Sequence, residues 1–202
     1  MPWATVPEML GDENMTAYEA IKARRTIRKF QQKPVSHDLL VHLADCGRMS
    51  ASAANLQPIK YALINNPELT SKIFPLTKWA GYLKDGTPKE NEQPPAYIAI
   101  IGDKDINKNA LENEAGLVMS TIMIAATEQN LGTCCLGAIC RDEINRLLSL
   151  PENLHTLYLI AVGYPMQESR MCEMQNGEYK YFETDFGISV PKRTLDEIII
   201  DC

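Results

Sequence analysis

Between Lys22 and Lys33 the chain carries six of its 20 Lys and Arg residues and no Asp or Glu, although its formal net charge is −6. The densest stretch is Arg24-Arg25-Thr26-Ile27-Arg28-Lys29-Phe30. Like charges packed this closely repel one another unless an anion binds among them or the side chains fan into water. A planar guanidinium offers two parallel donors to a phosphate, and the Thr26 hydroxyl adds another. The stretch is therefore a candidate phosphate site. The plainer alternative is a solvated helix end, because cations are also favourable at the C-terminus of a helix dipole.

Other reactive side chains form no comparable constellation. The six cysteines (Cys46, Cys134, Cys135, Cys140, Cys172 and Cys202) are irregularly spaced and include no C-x-x-C pair. They read as reduced thiols. Adjacent Cys134 and Cys135 would make a strained ring if bridged, so both read as small hydrophobes. His37, His42 and His155 are scattered and lack the ligand spacing of a zinc site, so no metal is expected. No G-x-G-x-x-G follows a strand, and there is no P-loop and no G-x-S-x-G, which argues against a Rossmann domain, a nucleotide triphosphatase and an α/β-hydrolase. Trp79 and Tyr82 either stack on a substrate or pack as an ordinary aromatic pair.

The elements that would position these groups are legible in outline. Thr16-Ala17-Tyr18-Glu19 is a capping box opening a helix that delivers the basic stretch at its end. Ser36 caps a second helix, about Asp38–Met49, with Val35 and Leu40 as a hydrophobic staple and Leu39, Leu40, Leu43 and Cys46 buried. Ser50–Pro58 is a loop, and Ile59–Ile64 a strand. Pro67–Trp79 holds one or two short helices, and Gly81–Pro95 is a surface excursion of the kind that often covers a site. Ala96–Ile101, Thr133–Leu136 and Thr156–Val162 are strands. One long helix is expected over Asn107–Leu131, ended by Gly132. Its apolar middle, Ala115–Ala126, implies burial in the domain or against a second subunit. Arg141–Leu148 is a further helix. The tail, Met166–Cys202, has little core of its own and is expected to wrap over the body or a partner.

At 202 residues and 45% hydrophobic content the chain can bury a core as one domain, residues 1–202. Helices come first and then mix with strands without regular βαβ alternation, so the expected class is α+β, a central sheet flanked by helices. A sequence pI near 5.2 argues against nucleic-acid binding. No apolar run is long enough for a membrane span. Met1-Pro2-Trp3 opens without a basic region followed by an apolar run, so no secretory signal is expected and a cytoplasmic location is.

Five separated segments, in order, resemble the nitroreductase family of FMN-dependent oxidoreductases. Arg24–Phe30 is similar to that family's Arg-Arg-Ser-x-Arg-x-Phe box. Ser50–Pro58 resembles its Pro-Ser-x-x-Asn-x-Gln-Pro loop, with Ser50 or Ala51 where the family has the leading Pro. Leu131–Gly137 resembles Gly-Leu-Gly-x-Cys-x-x-Gly, Ala161–Pro165 a strand ending in Gly-Tyr-Pro, and Pro191–Glu197 the Pro-Lys-Arg-x-Leu-x-Glu stretch. The resemblance covers residues 16–201.

It implies a nitroreductase-like sheet, central and mixed or antiparallel, with the C-terminal segment wrapping onto a homodimer partner. It further implies FMN as cofactor and NADH or NADPH as cosubstrate. Arg24 and Thr26 would hold the FMN phosphate, joined by Lys192 and Arg193. Arg25, in the same box, counts among the cofactor-binding residues without a separate role. Arg28 would lie beside the pyrimidine edge of the ring, where a cation stabilises the anionic reduced form. Ser52, Ala53, Asn55 and Gln57 would reach the flavin of the other subunit. Leu136 and Gly137 would present a backbone N–H to N5 or O4, where glycine permits close approach. No acid–base residue is required, because the cofactor carries the chemistry. The implied reaction is ping-pong hydride transfer to a small-molecule acceptor such as a nitroaromatic or quinone. A dehalogenase-type branch and a non-catalytic flavin sensor are the alternatives.

Overall fold

The computed structural model describes residues 15–109 and 111–201. The expectations for Met1–Trp3 and for the Cys202 thiol lie outside the described residues. Helix α1 (Ala17–Ala23) begins at the Thr16–Glu19 capping box and ends at Arg24. Helix α2 (His37–Arg48) is capped by the Ser36 hydroxyl, which accepts the Leu39 N–H at 3.2 Å. Val35 and Leu40 are buried in one cluster, as the staple requires. Leu40, Leu43 and Gly47 are buried, whereas Leu39 and Cys46 are only half-buried. Gly47 is needed because a Cβ there would stand 2.8 Å from Ile122 on the helix it crosses.

The main sheet has four strands in the order β1-β2-β4-β3, all antiparallel. They are β1 (Ile59–Ile64), β2 (Ala96–Asp103), β3 (Gly132–Leu136) and β4 (Leu154–Gly163). Every residue of β2 is buried, which explains the unbroken apolar run Ala96–Ile101; Asp103 at its end pairs with Lys60. Alternation divides the core between two faces. Ile98, Ile100, Ile160 and Val162 face α2 and the long helix α4 (Leu111–Glu128). Tyr97, Ala99, Ile101, Leu159 and Ala161 face the opposite way. There they meet Ile27 and Phe30 of the basic stretch, α3 (Pro67–Ile73) and α5 (Arg141–Leu147). Among the described residues no helix is long and apolar enough to cross a membrane.

Both ends of the long helix differ from the sequence expectation. The Asn107 side chain accepts the Asn109 N–H at 3.0 Å, and the Asp103 carbonyl accepts from Ile106 and Asn107. Such local turns compete with helix, and α4 starts at Leu111. At the other end Asn130 takes the left-handed conformation (φ 57°). The Asn130 N–H bonds the Thr127 carbonyl and the Leu131 N–H bonds the Ala126 carbonyl. This is a Schellman stop on asparagine, so Gly132 begins β3 instead of ending the helix. Nor is α4 buried all round within the chain: Gly116, Leu117 and Ser120 form an open face.

The tail is more regular than expected. Strands β5 (Glu168–Glu173), β6 (Phe182–Thr184) and β7 (Gly187–Lys192) form a second sheet in the order β5-β7-β6. The β5–β7 pair is parallel and the β6–β7 pair antiparallel. Its side chains are exposed or half-buried apart from Ile188 and Ser189, which is why no apolar alternation announced it. A short helix, α6 (Leu195–Ile198), follows.

Burial also sets an alkaline limit. It pushes the Cys134 thiol from its ordinary 9.0 up to about 12, and the Tyr61 phenol from 10.0 up to about 12. Tyr97 is displaced upward by the same cause. Below pH 9 all three are protonated in both states. Between pH 9 and 12 the unfolded chain gives up protons that the folded chain retains, so stability falls as pH rises. A melting temperature followed from pH 8 to 11 is expected to drop, less steeply in Cys134→Ala. A flat profile would refute this account.

Candidate functional site

The basic stretch is fastened to the main sheet at the start of β3. The Ile27 N–H donates to the Thr133 carbonyl at 2.9 Å, and Thr26 and Thr133 form a parallel bridge. Ile27 lies on Gly132, where any Cβ would come within 2.8 Å of three of its side-chain carbons. Phe30 is fully buried and covers Gly163, and its N–H donates to the Glu92 carbonyl. The amides of Arg28 and Lys29 both donate to the Gln167 side-chain oxygen, at 3.2 and 2.8 Å. Apolar anchors at Ile27 and Phe30 thus hold a cationic segment in place.

Within that segment the cations divide. Lys29 pairs with Glu92 at 3.4 Å. Arg24 and Arg25 have no carboxylate partner among the described residues. The Arg25 guanidinium donates to the Arg24 carbonyl, while its Nε is buried without an acceptor. Burial, and then the neighbouring Arg24 charge, lower the Arg25 pKa. Both causes disfavour the cation, and an anion placed between the two arginines would reverse the second. The Arg28 guanidinium stacks on the Tyr181 ring, 4.4 Å from its centre, a favourable arrangement.

The Ser52–Gln57 loop is a short 3-10 turn, Ala53–Asn55, with unusual backbone. Ala54, Asn55 and Gln57 have φ of 50°, 55° and 53°, in the left-handed region. The Ser52 hydroxyl accepts the Gln57 N–H at 2.8 Å, and the Gln57 amide donates back to Asn55 at 3.1 Å. Ser52 is half-buried, and Ala53, Asn55 and Gln57 are exposed.

Leu136 is buried at the end of β3, and Gly137 follows it, where a Cβ would stand 3.2 Å from the Tyr158 ring. The Gly137 carbonyl accepts from Arg141 at 3.1 Å. Gly137 and Thr133, which bonds the basic stretch, are four residues apart, roughly 13 Å along a strand. Cys134 and Cys135 point to opposite faces: the first is buried in the core, and the second is exposed with its sulfur 3.3 Å from that of Met119. They do not form a dithiol pair.

Lys192 and Arg193 lie at the far end of β7, and Arg193 pairs with Glu197 at 3.4 Å. Five residues, or about 16 Å of strand, separate Lys192 from Gly187. Gly187 and Ile188 line a cleft of about 190 Å³ with Arg28, Lys29, Gln167 and Glu183. The Arg24–Arg28 stretch is thus joined to β3, while Lys192 and Arg193 follow at the end of the tail sheet and the Ser52–Gln57 loop lies between α2 and β1.

Trp79 packs as a core aromatic, with its indole N–H donated to Thr77 and its ring on Phe74. Tyr82 is different. It lies exposed beside Tyr181 and Tyr179, with ring centres 5.1 and 6.2 Å away. The three tyrosines tie the Gly81–Pro95 excursion to the C-terminal segment above Arg28. Sequence reasoning missed Tyr181 and Gln167, because they meet Arg28 across 153 and 139 residues of chain. For Glu114, a charged residue beside the apolar stripe of α4, the sequence left two readings open, a group near the flavin or an ordinary helix-end contact; its carboxylate accepts the Ala53 N–H.

Comparison with known proteins places this architecture. The nitroreductase family model matches residues 21–164. A Methanothermobacter thermautotrophicus protein named as an NADH dehydrogenase/NAD(P)H nitroreductase is 27% identical over 159 residues, covering 76% of this chain and 79% of the relative. An iodotyrosine deiodinase of Nematostella vectensis is 24% identical over 184 residues, covering 76% and 69%. A solved nitroreductase family protein of Clostridium novyi NT has a TM-score of 0.65 at 25% identity, covering 75% of this chain and 86% of its own. An FMN-dependent nitroreductase of Clostridium difficile R20291 shares the fold, with a TM-score of 0.66 at 20% identity over 82% and 97%. With its matched segment holding both the basic stretch and the four-stranded sheet, the chain belongs to the nitroreductase family.

Proposed function

We propose that the protein is an FMN-dependent oxidoreductase that passes reducing equivalents from NADH or NADPH to an oxidised small molecule such as a nitroaromatic or quinone. The observation that carries the reading is the Arg24–Arg25 pair, crowded and, among the described residues, without a carboxylate partner and with a buried Nε lacking an acceptor. A flavin phosphate supplies the missing anion and acceptor oxygens. Bound FMN would supply the hydride relay between nicotinamide and acceptor. Arg24 and Thr26 hold the phosphate, Arg28 lies beside the ring, and Gly137 leaves its backbone open to close approach. Lys192 and Arg193 add charge to the phosphate end.

A homodimer completes the site. The cleft beside Arg28, about 190 Å³, falls below the roughly 300 Å³ at which ligand pockets begin. The exposed Ser52–Gln57 loop and the open α4 face at Leu117 would lie against the second copy. Visible spectra of the purified protein test the reading. Flavin absorbance is expected, with bleaching on addition of NADH or NADPH and recovery with an acceptor. A colourless protein that also takes up no added FMN would exclude it.

A dehalogenating branch is the second reading. The iodotyrosine deiodinase relative and the tyrosine cover over Arg28 favour it. Turnover of a halogenated phenol in preference to nitroaromatics separates the two, and bleaching without turnover of any acceptor would leave a sensor.

A further inference from the structure

Glu114 stands on α4 with 3% of its surface exposed. Its carboxylate accepts the Ala53 N–H at 2.7 Å. A buried carboxylate is costly unless hydrogen-bonded, so its presence at this point calls for a reason. The loop it touches is exposed and has no apolar anchor: Ala53, Ala54, Asn55, Leu56 and Gln57 all face solvent. Three of those residues are left-handed without being glycine. Backbone of this kind persists only where its surroundings over-determine it, and it clusters at ligand-binding sites.

The bonds between Ser52, Asn55 and Gln57 lie within the loop and do not fix it to the fold. The fixing comes from α4. Seven residues after Glu114, on the same helix face, the Thr121 hydroxyl meets the Ser50 hydroxyl at 2.8 Å. Helix α4 therefore holds the loop at two points, one on each side of Ser52, and Glu114 makes the inner one.

We infer that Glu114 is a positioning residue: its buried carboxylate locks the Ser52–Gln57 loop in the left-handed form that presents Ser52, Ala53 and Asn55 to the flavin. The inference rests on the FMN reading above. A loop already ordered loses less freedom when ligand binds. Without Glu114 that ordering falls on the binding step, and affinity drops. Glutamine keeps an oxygen acceptor at the same reach and should preserve the lock, whereas alanine removes it.

The test compares wild type, Glu114→Ala, Glu114→Gln and Glu114→Asp in two measurements. FMN affinity is read by fluorescence titration of the cofactor-free protein, and loop order by limited proteolysis within residues 52–57 without FMN. Glu114→Ala is expected to bind FMN about tenfold more weakly and to be cleaved about tenfold faster. Glu114→Gln should stay within about threefold of wild type in both. If Glu114→Ala fails to fold, Glu114→Asp, whose carboxylate is one methylene short of the Ala53 N–H, carries both measurements with an expected loss of about fivefold. Unchanged affinity and cleavage in Glu114→Ala would overturn the inference, as would a Gln variant as impaired as the Ala variant. If wild type binds no FMN, the functional reading fails instead, and the proteolysis still decides whether Glu114 holds the loop.

Discussion

Arg24→Ala is expected to weaken FMN binding by about 10- to 100-fold while leaving the cofactor-free protein as stable as wild type or more so. The binding loss follows from removing hydrogen bonds to a charged group, worth about 1.5–3 kcal/mol, at about 1.4 kcal/mol per tenfold. The stability gain has a separate source. The Arg24 charge lowers the pKa of the half-buried Arg25 beside it, and no carboxylate among the described residues relieves the pair. Deleting one cation removes that repulsion. Opposite signs for affinity and stability are the mark of a site built for an absent charge. Fluorescence titration with FMN and a melting curve without it give the two numbers. A variant that loses stability and keeps its affinity would show that Arg24 serves the fold. Lys192→Ala should lower affinity without the gain in stability, since Lys192 is exposed.

The largest structural effect is expected from Gly132→Ala. A Cβ there would lie 2.8 Å from the Cβ, Cγ1 and Cγ2 of Ile27. These atoms sit next to the backbone of a residue whose own N–H is bonded to Thr133, so they cannot swing aside. Overpacking of this kind costs about 1–3 kcal/mol, and each kcal/mol lowers the melting temperature of a chain this size by about 2–4 °C. Because Ile27 carries the basic stretch, FMN affinity should fall with stability. A double-mutant cycle with Ile27→Ala checks the cause: the two changes together should cost less than their sum. Strict additivity would place the damage elsewhere.

What the sequence revealed and what it hid divide by range. Caps at Thr16 and Ser36, the staple of Val35 and Leu40, and the apolar run of β2 depend on neighbours within a few residues, and all were legible. The end of α4 was not. Gly132 offered the usual stop signal, yet Asn130 takes the left-handed turn, and the glycine serves a close approach to Ile27 more than 100 residues earlier. The small tail sheet was hidden because its strands bury so little. In the candidate site, residue types and order pointed to the arginines and the Asn55 loop. The left-handed backbone of that loop, the Glu114 tie beneath it and the Gln167 bridge to Arg28 are long-range or conformational facts that no local pattern encodes.

The stacking of Arg28 on Tyr181 bears on the kinetics of ligand arrival. A guanidinium in open water must shed its hydration shell before a ring can lie against it. Arg28 is half-buried and one face is already covered by an aromatic ring, so much of that dehydration is complete before any ligand comes. A ring that meets Arg28 edge-on, as proposed above, would leave Tyr181 on the face of the guanidinium. A ligand reaching Arg28 would meet a cation already partly dehydrated, so stripping water from the charge would add less to the barrier to entry.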